Sequence, residues 1–292
     1  MTVQRFLEPR SLAEAVQLGT EDPSGAKLIA GGTALTIMML QGFVMPDTLV
    51  SLGRIDDAGF RSISVTEGRV RIGGGVTLTD VAVAPEVAAN LPSLAYACAV
   101  VGNTRVRNVA TLGGNLAEAD YASDPPSVLI SLGATVEILG PDGQRTLPVG
   151  DLITGFYETA LPDGAVITAI DVPVTPDRVS VYEKFRTRSS EDRPCVGVAA
   201  SATFAGRALD DLEVVIGAVA ATPQRDPALG DRVRGAELDD ALARSVAAEY
   251  RRDIEPMDDA RGSAWYRSRM IEVLVRRSLR ALADARDAEV DA

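Results

Sequence analysis

Two glycine pairs, in Ala30-Gly31-Gly32-Thr33 and Thr111-Leu112-Gly113-Gly114-Asn115, stand far apart in a chain with few other groups suited to demanding chemistry. Each lets the backbone approach a ligand very closely and sets a small polar residue, Thr33 or Asn115, beside that approach. A strand-like run, Lys27-Leu28-Ile29-Ala30, leads into the first pair, and an apolar helical run from about Ala34 to Leu40 leaves it. Free N–H groups between a strand end and a helix start favour an anion such as phosphate.

Absences narrow the chemistry. Histidine is missing, which excludes Ser-His-Asp and Cys-His catalysis, His-ligated zinc and a covalent histidyl cofactor link. Cys98 and Cys195 are single and well separated, so no CxxC can hold zinc or an iron–sulfur cluster, and both read as small buried residues in a reducing compartment. The formal charge of -12 disfavours nucleic acid or an anionic membrane surface. The N-terminus lacks the uninterrupted apolar stretch of a signal peptide, and no run is long enough to span a bilayer; the expectation is a cytoplasmic chain.

The organisation reads as α+β in three parts. Ser11 followed by Glu14 makes a capping box for a first helix running to about Gly19; the first glycine pair and a strand at 48–52 complete a small unit ending near residue 53. A hairpin around Glu67-Gly68, helices opened by Pro85, Pro92 and Pro125-Pro126, and strands at 135–139, 144–147 and 166–172 form a second unit with an antiparallel sheet. After the linker Pro173-Val174-Thr175-Pro176-Asp177, three strand-like runs precede a helical region. Its last helix starts near Ser263, with Tyr266, Met270, Val273, Leu274 and Ala281 inside, Arg267, Arg269, Arg276 and Arg280 on a solvated face, and a frayed end from Asp284.

The second motif is the more specific one. Two arginines and an asparagine (Arg105, Arg107, Asn108) lead into Thr111, Gly113, Gly114 and Asn115, and a carboxylate, Asp124, follows. A polar loop of that density is hard to explain as packing. Lys184 and Lys27 are the chain's two lysines, and Lys184 sits in Glu183-Lys184-Phe185.

Together Ala30-Gly31-Gly32-Thr33 with Leu35, Arg107 to Ala117, and Glu183-Lys184-Phe185 resemble the FAD-binding subunits of molybdenum hydroxylases: the medium subunits of enzymes similar to carbon monoxide dehydrogenase, and the FAD domain of xanthine dehydrogenase. The resemblance implies a two-part FAD-binding domain of the vanillyl-alcohol-oxidase/PCMH type over residues 1–177, with subdomains of about 1–53 and 54–177. A C-terminal α+β domain with a three-stranded antiparallel sheet and helices follows over 178–285, and then a tail at 286–292. It implies noncovalent FAD, held by Leu28, Ile29, Ala30, Gly31, Gly32, Thr33, Ala34 and Leu35 in a first pyrophosphate loop and by Thr111, Leu112, Gly113, Gly114 and Asn115 in a second. Val101 and Ile167 are the implied apolar contacts, with Thr168 as the alternative to Ile167. Asp124 is the implied partner of ribityl or ribose hydroxyls, and Lys184 a cation beside the flavin. Arg105, Arg107 and Asn108 stay outside the implied site; loop-bracing is one role open to them.

The implied activity is electron relay, from iron–sulfur clusters on a small partner subunit through FAD to an external acceptor. The molybdopterin lies on a large partner subunit. The resemblance assigns neither a general acid or base nor a metal ligand to this chain. Thr33 and Ala34 stand where some relatives carry histidine and serine, so it does not assign carbon monoxide oxidation. Two other readings stay open here: a self-contained FAD oxidoreductase acting on its own substrate, and a noncatalytic assembly module with a degenerate site.

Overall fold

Ser11 starts the first helix where its spacing to Glu14 predicts. Its hydroxyl accepts from the Glu14 N–H at 3.2 Å, and the Glu14 carboxylate reaches back to the N–H of Arg10 at 2.9 Å. The reciprocal bond of the capping box thus closes one residue before the cap. The computed structural model describes residues 3–175 and 177–290; of the linker and tail expectations, Pro176 and residues 291–292 lie outside the described residues.

In the first part, β1 (Arg5–Leu7), α1 (Leu12–Glu21), β2 (Ala26–Ile29), α2 (Leu35–Gln41) and β3 (Thr48–Ser51) build a parallel sheet of order β1-β3-β2. Strand β1 is too short to show a sequence period, and its pairing with β3 brings it in. The second part begins with the hairpin β4 (Ile63–Thr66) and β5 (Arg69–Gly73). Six short helices follow: α3 (Leu78–Val83), α4 (Pro85–Asn90), α5 (Pro92–Ala99), α6 (Thr104–Arg107), α7 (Leu112–Glu118) and α8 (Pro125–Ser131). Next come β6 (Thr135–Gly140), β7 (Gly143–Pro148), α9 (Val149–Leu152), the small pair β8 (Ile153–Gly155) and β9 (Glu158–Thr159), and β10 (Val166–Pro173). The sheet is antiparallel with order β4-β5-β10-β6-β7.

The third part is an antiparallel sheet of three long strands, β11 (Val179–Phe185), β12 (Val196–Ala205) and β13 (Ala208–Gly217), edged by the two-residue β14 (Gln224–Arg225). It carries α10 (Leu229–Val233), α11 (Asp240–Asp253) and α12 (Ala264–Val290). One face of this sheet packs on α11 and α12 through Val198, Ala200, Val214, Ile216, Ile271 and Leu274. The other face supplies Tyr182, Ala199 and Val215 to the core of the second part. Helix α8 lies at that junction with all seven residues buried, and the Ser201 hydroxyl of β12 donates to its Ser131 carbonyl at 2.6 Å.

Helix α12 differs from the sequence expectation in two ways. Its buried stripe is Ile271, Leu274, Val275, Leu279 and Leu282, while Tyr266 and Val273 are exposed and Arg267 is fully buried. Arg267 faces inward because the interior offers it full pairing: its guanidinium donates to the carbonyls of Cys195 and Met257 and to Asp259. Helical backbone also continues to Val290 in place of the frayed end, and Arg286 is buried over the Phe204 ring.

Candidate functional site

The first glycine loop joins β2 to α2, and the second forms the N-cap and first turn of α7. They meet back to back. A Cβ on Gly31 would sit 1.9 Å from the Val109 carbonyl oxygen and 2.9 Å from Ala110 Cα, so Gly31 lets one loop close against the segment leading into the other. Gly32 has φ +67°, the left-handed region that glycine enters freely.

A third glycine run, Gly73-Gly74-Gly75, supports the second loop. The N–H of Gly113 donates to the Gly74 carbonyl at 3.1 Å, and the N–H of Gly74 donates to Thr168 O of β10 at 2.8 Å. A Cβ on Gly74 would fall 2.0 Å from Ile167 O and one on Gly113 2.6 Å from Gly74 O, so backbone stacks on backbone through three layers. Three consecutive glycines at a strand end were the sequence signal for this layer.

The loops wall a cleft of about 510 Å3. Of the seventeen residues expected at the site, fifteen line it: Leu28 to Leu35, Val101, Thr111, Gly113, Gly114, Asn115, Asp124 and Ile167. Leu112 is buried in the hydrophobic core, and Lys184 stands one layer behind the wall. Strand β10 has a register shift between Ile167 and Ala169; Ile167 reaches the cleft, whereas the Thr168 hydroxyl donates to the Glu137 carboxylate at 2.6 Å.

The two loops present different chemistry. Among the described residues no oxygen accepts from the N–H groups of Gly31, Gly32, Thr33 or Ala34, four adjacent donors beside the cleft. In the second loop the donors are already used. Leu112 N–H goes to Val76 O, Gly113 N–H to Gly74 O, Gly114 N–H to the Thr111 hydroxyl at 3.0 Å, and Asn115 N–H to Thr111 O. What this loop offers a ligand is the Thr111 hydroxyl proton and the Asn115 amide NH2, since Asn115 Oδ1 accepts from Ser123.

Asp124 and Lys184 form the most buried ion pair of the described residues, 2.8 Å apart with side chains 3% and 0% exposed. Asp124 also accepts from the Tyr182 hydroxyl at 2.6 Å, and Lys184 donates to the Val100 carbonyl at 2.7 Å, next to the cleft residue Val101. Burial pushes the Asp124 carboxyl up and the Lys184 ammonium down, each opposed by the attraction of the other. The ammonium is matched by a carboxylate and braces the wall from one layer behind the cleft. Arg107, whose role the sequence left open, braces its own loop: it donates to the carbonyls of Val101 and Gly102 and to Thr104.

The cleft also takes in Glu118, Asp120, Glu191 and Arg193, which sequence reasoning missed because no motif joins them. Arg193 pairs with Asp120 at 2.9 Å, and burial, with the Asp120 charge, pushes the Glu118 carboxyl up to about 7. One portion of the cleft thus carries free N–H donors and another carries carboxylates.

Comparison with known proteins gives these features a class. Residues 2–175 match the family described as FAD binding domain in molybdopterin dehydrogenase, and residues 180–282 match the CO dehydrogenase flavoprotein C-terminal domain. The carbon monoxide dehydrogenase medium chain of Hydrogenophaga pseudoflava is 32% identical, over 94% of this chain and 94% of its own. The nicotine 6-hydroxylase medium subunit of Paenarthrobacter nicotinovorans is 31% identical over 94% and 95%. A chain of quinoline 2-oxidoreductase from Pseudomonas putida 86 superposes with a TM-score of 0.91 at 28% identity, covering 98% of both chains. The class is a two-part FAD-binding domain followed by a flavoprotein C-terminal domain. The chain belongs to the FAD-binding subunits of the molybdenum hydroxylases, and is an oxidoreductase subunit.

Proposed function

We propose that this chain relays electrons, taking them from iron–sulfur clusters on a small partner subunit and passing them through noncovalent FAD to an external acceptor. A large partner subunit holds the molybdopterin and meets the oxidised substrate. When bound, FAD supplies the capacity to take electrons singly and release them as a pair. The observation that carries the assignment of the site is the row of four unpartnered N–H groups from Gly31 to Ala34 beside the cleft, a donor set suited to a pyrophosphate.

In this reading Gly31, Gly32, Thr33 and Ala34 hold phosphate oxygens through their N–H groups, and Thr111 and Asn115 add side-chain donors. Leu28, Ile29, Ala30, Leu35, Val101 and Ile167 give apolar walls that exclude water. Gly113 and Gly114 keep the second loop low enough to form its wall. Asp124 presents its carboxylate at the wall with Lys184 and Tyr182 holding it from behind, and Leu112 anchors the loop from the core. Residues 1–177, with subdomains of about 1–53 and 54–177, act as the FAD domain, and 178–285 as the C-terminal domain that closes the site.

The relatives named as medium chains or subunits support assembly with other subunits. Among the described residues no group of three His, Cys, Asp or Glu side chains is placed to hold a metal ion. No helix among the described residues is long and apolar enough to cross a membrane. A cytoplasmic location is part of the proposal, and both cysteines are buried and free.

The test is the flavin content of the purified protein. Wild type is expected to carry one FAD, released without bond cleavage on denaturation. Gly114→Leu is expected to lose it, because a Cβ there meets the Thr111 hydroxyl at 2.8 Å and breaks the cap of α7. Unchanged flavin in that variant would refute the loop assignment, and flavin reduction by a small substrate without partner chains would refute the relay.

A further inference from the structure

A second groove, of about 590 Å3, runs between α11 and α12 away from the glycine loops. Arg244, Arg269, Arg276, Arg277 and Arg280 line it, with Glu272 as its one lining carboxylate and Val273 on its floor. Glu272 is already paired with Arg251. The groove is therefore strongly cationic in a chain of formal charge -12.

Arg244, Arg276 and Arg280 converge on the single carboxylate of Asp240. Three guanidiniums on one carboxylate leave most of their donors and net positive charge unmatched. Arg277 has no hydrogen-bond or ion-pair partner among the described residues, and Arg269 only stacks on Trp265, 4.6 Å from the ring centroid. Trp265, Arg269, Val273, Arg276 and Arg280 recur at helical spacing along α12, and Trp265 is 66% and Val273 45% exposed. An indole left in water beside clustered arginines is the composition of a binding hot spot, and a solvated helix face does not require it.

We propose that this groove is the docking surface for an acidic segment of a partner subunit, whose carboxylates add to Asp240 under the arginine forks and whose apolar residues cover Trp265 and Val273. Charge fixes the kind of partner. The surface repels cations, and its forks match carboxylates in the geometry Asp240 already displays. An open groove that sets Ala247, Ala248 and Val273 among five arginines fits a peptide segment better than a compact anion. The proposal rests on the multi-subunit reading given above.

The chain is co-expressed with its iron–sulfur and molybdopterin partner chains, and partner recovered per tagged chain is compared between wild type and Arg269→Glu/Arg277→Glu. Neither arginine hydrogen-bonds within the described chain, so the double variant keeps the Asp240 cluster that ties α11 to α12. Partner recovery is expected to fall about tenfold or more, as charge reversal at a docking surface predicts, with FAD content and thermal midpoint unchanged. Raising salt is expected to weaken the wild-type complex. Trp265→Ala, which removes no hydrogen bond, is expected to weaken it as well. Full partner recovery by the double variant overturns the groove assignment while leaving the assembly reading intact. A wild type that recovers no partner chains overturns the assembly reading, and the groove assignment with it. A wild type that self-associates through the groove, and is separated by the double variant, assigns the surface to a second copy and overturns the proposal.

Discussion

Replacing Lys184 by methionine isolates the wall-bracing pair from the cofactor. Methionine keeps the length and apolar stem of lysine and deletes the ammonium, leaving Asp124 with the Tyr182 hydroxyl and no ion-pair partner in a site that is 3% exposed. The Val100 carbonyl loses its donor at the same time. Breaking a buried ion pair from one side costs about 3–5 kcal/mol. In a chain of this size that lowers the thermal midpoint of the FAD-free protein by on the order of 10 °C.

The loss has a defined pH dependence. Without the ammonium, burial drives the Asp124 carboxyl further up, so the folded variant holds a proton that the unfolded chain has released. The penalty is complete above the folded pKa and shrinks as pH falls toward the ordinary carboxylate range. A second change, Asp124→Asn, removes the stranded charge and keeps an acceptor for Tyr182. The double variant is expected to recover most of the loss, giving a coupling of about 2 kcal/mol or more. Differential scanning calorimetry of the four FAD-free proteins at pH 5 and pH 8 makes the measurement. If Lys184→Met matches wild type in stability and changes only FAD affinity, the lysine serves the cofactor and the brace argument fails.

Gly31→Ala is expected to abolish flavin retention: its Cβ would lie 1.9 Å from Val109 O and force the two loops apart, and absorbance near 450 nm of the purified variant reads this directly. The Glu118 carboxyl, pushed up to about 7, makes the folded protein lose stability as pH rises from the ordinary glutamate range through about 7. In Glu118→Gln that part of the slope should vanish, so the variant gains on wild type between pH 5 and pH 8 in thermal melts, and parallel curves would refute the assignment. Cys98 and Cys195 are both fully buried with raised thiols, so a thiol reagent should label neither until the chain opens; stoichiometric labelling of the native protein would contradict their placement.

Much of the fold was readable because its signals are local. The Ser11 cap, the prolines opening α4, α5 and α8, and the alternation of β4 and β5 each follow from a few adjacent residues. The glycine loops were readable for the same reason, but their inequality was not. Which N–H groups stay free depends on Gly74 and Val76 arriving from another segment. The role of Lys184 likewise hung on a partner sixty residues away in sequence, Asp124, whose burial no local pattern reveals. On α12 a helical period was visible, but its inward face was misjudged because Asp259 and two carbonyls make a buried site for Arg267 that hydrophobicity alone assigns to solvent.

The sealed position of α8 bears on how this lineage can be recombined. A helix with every residue buried has no side left to vary freely: one side answers to the second part's own core, the other to strands β12 and β13. Gly217 is held to the size of glycine there, since a Cβ would lie 2.3 Å from Ser127 Oγ. A chimera that joins one relative's residues before the linker to another's after it would inherit two surfaces shaped for different neighbours. A chimera of this lineage is expected to keep that junction packed only when α8 is exchanged together with the sheet it lies on.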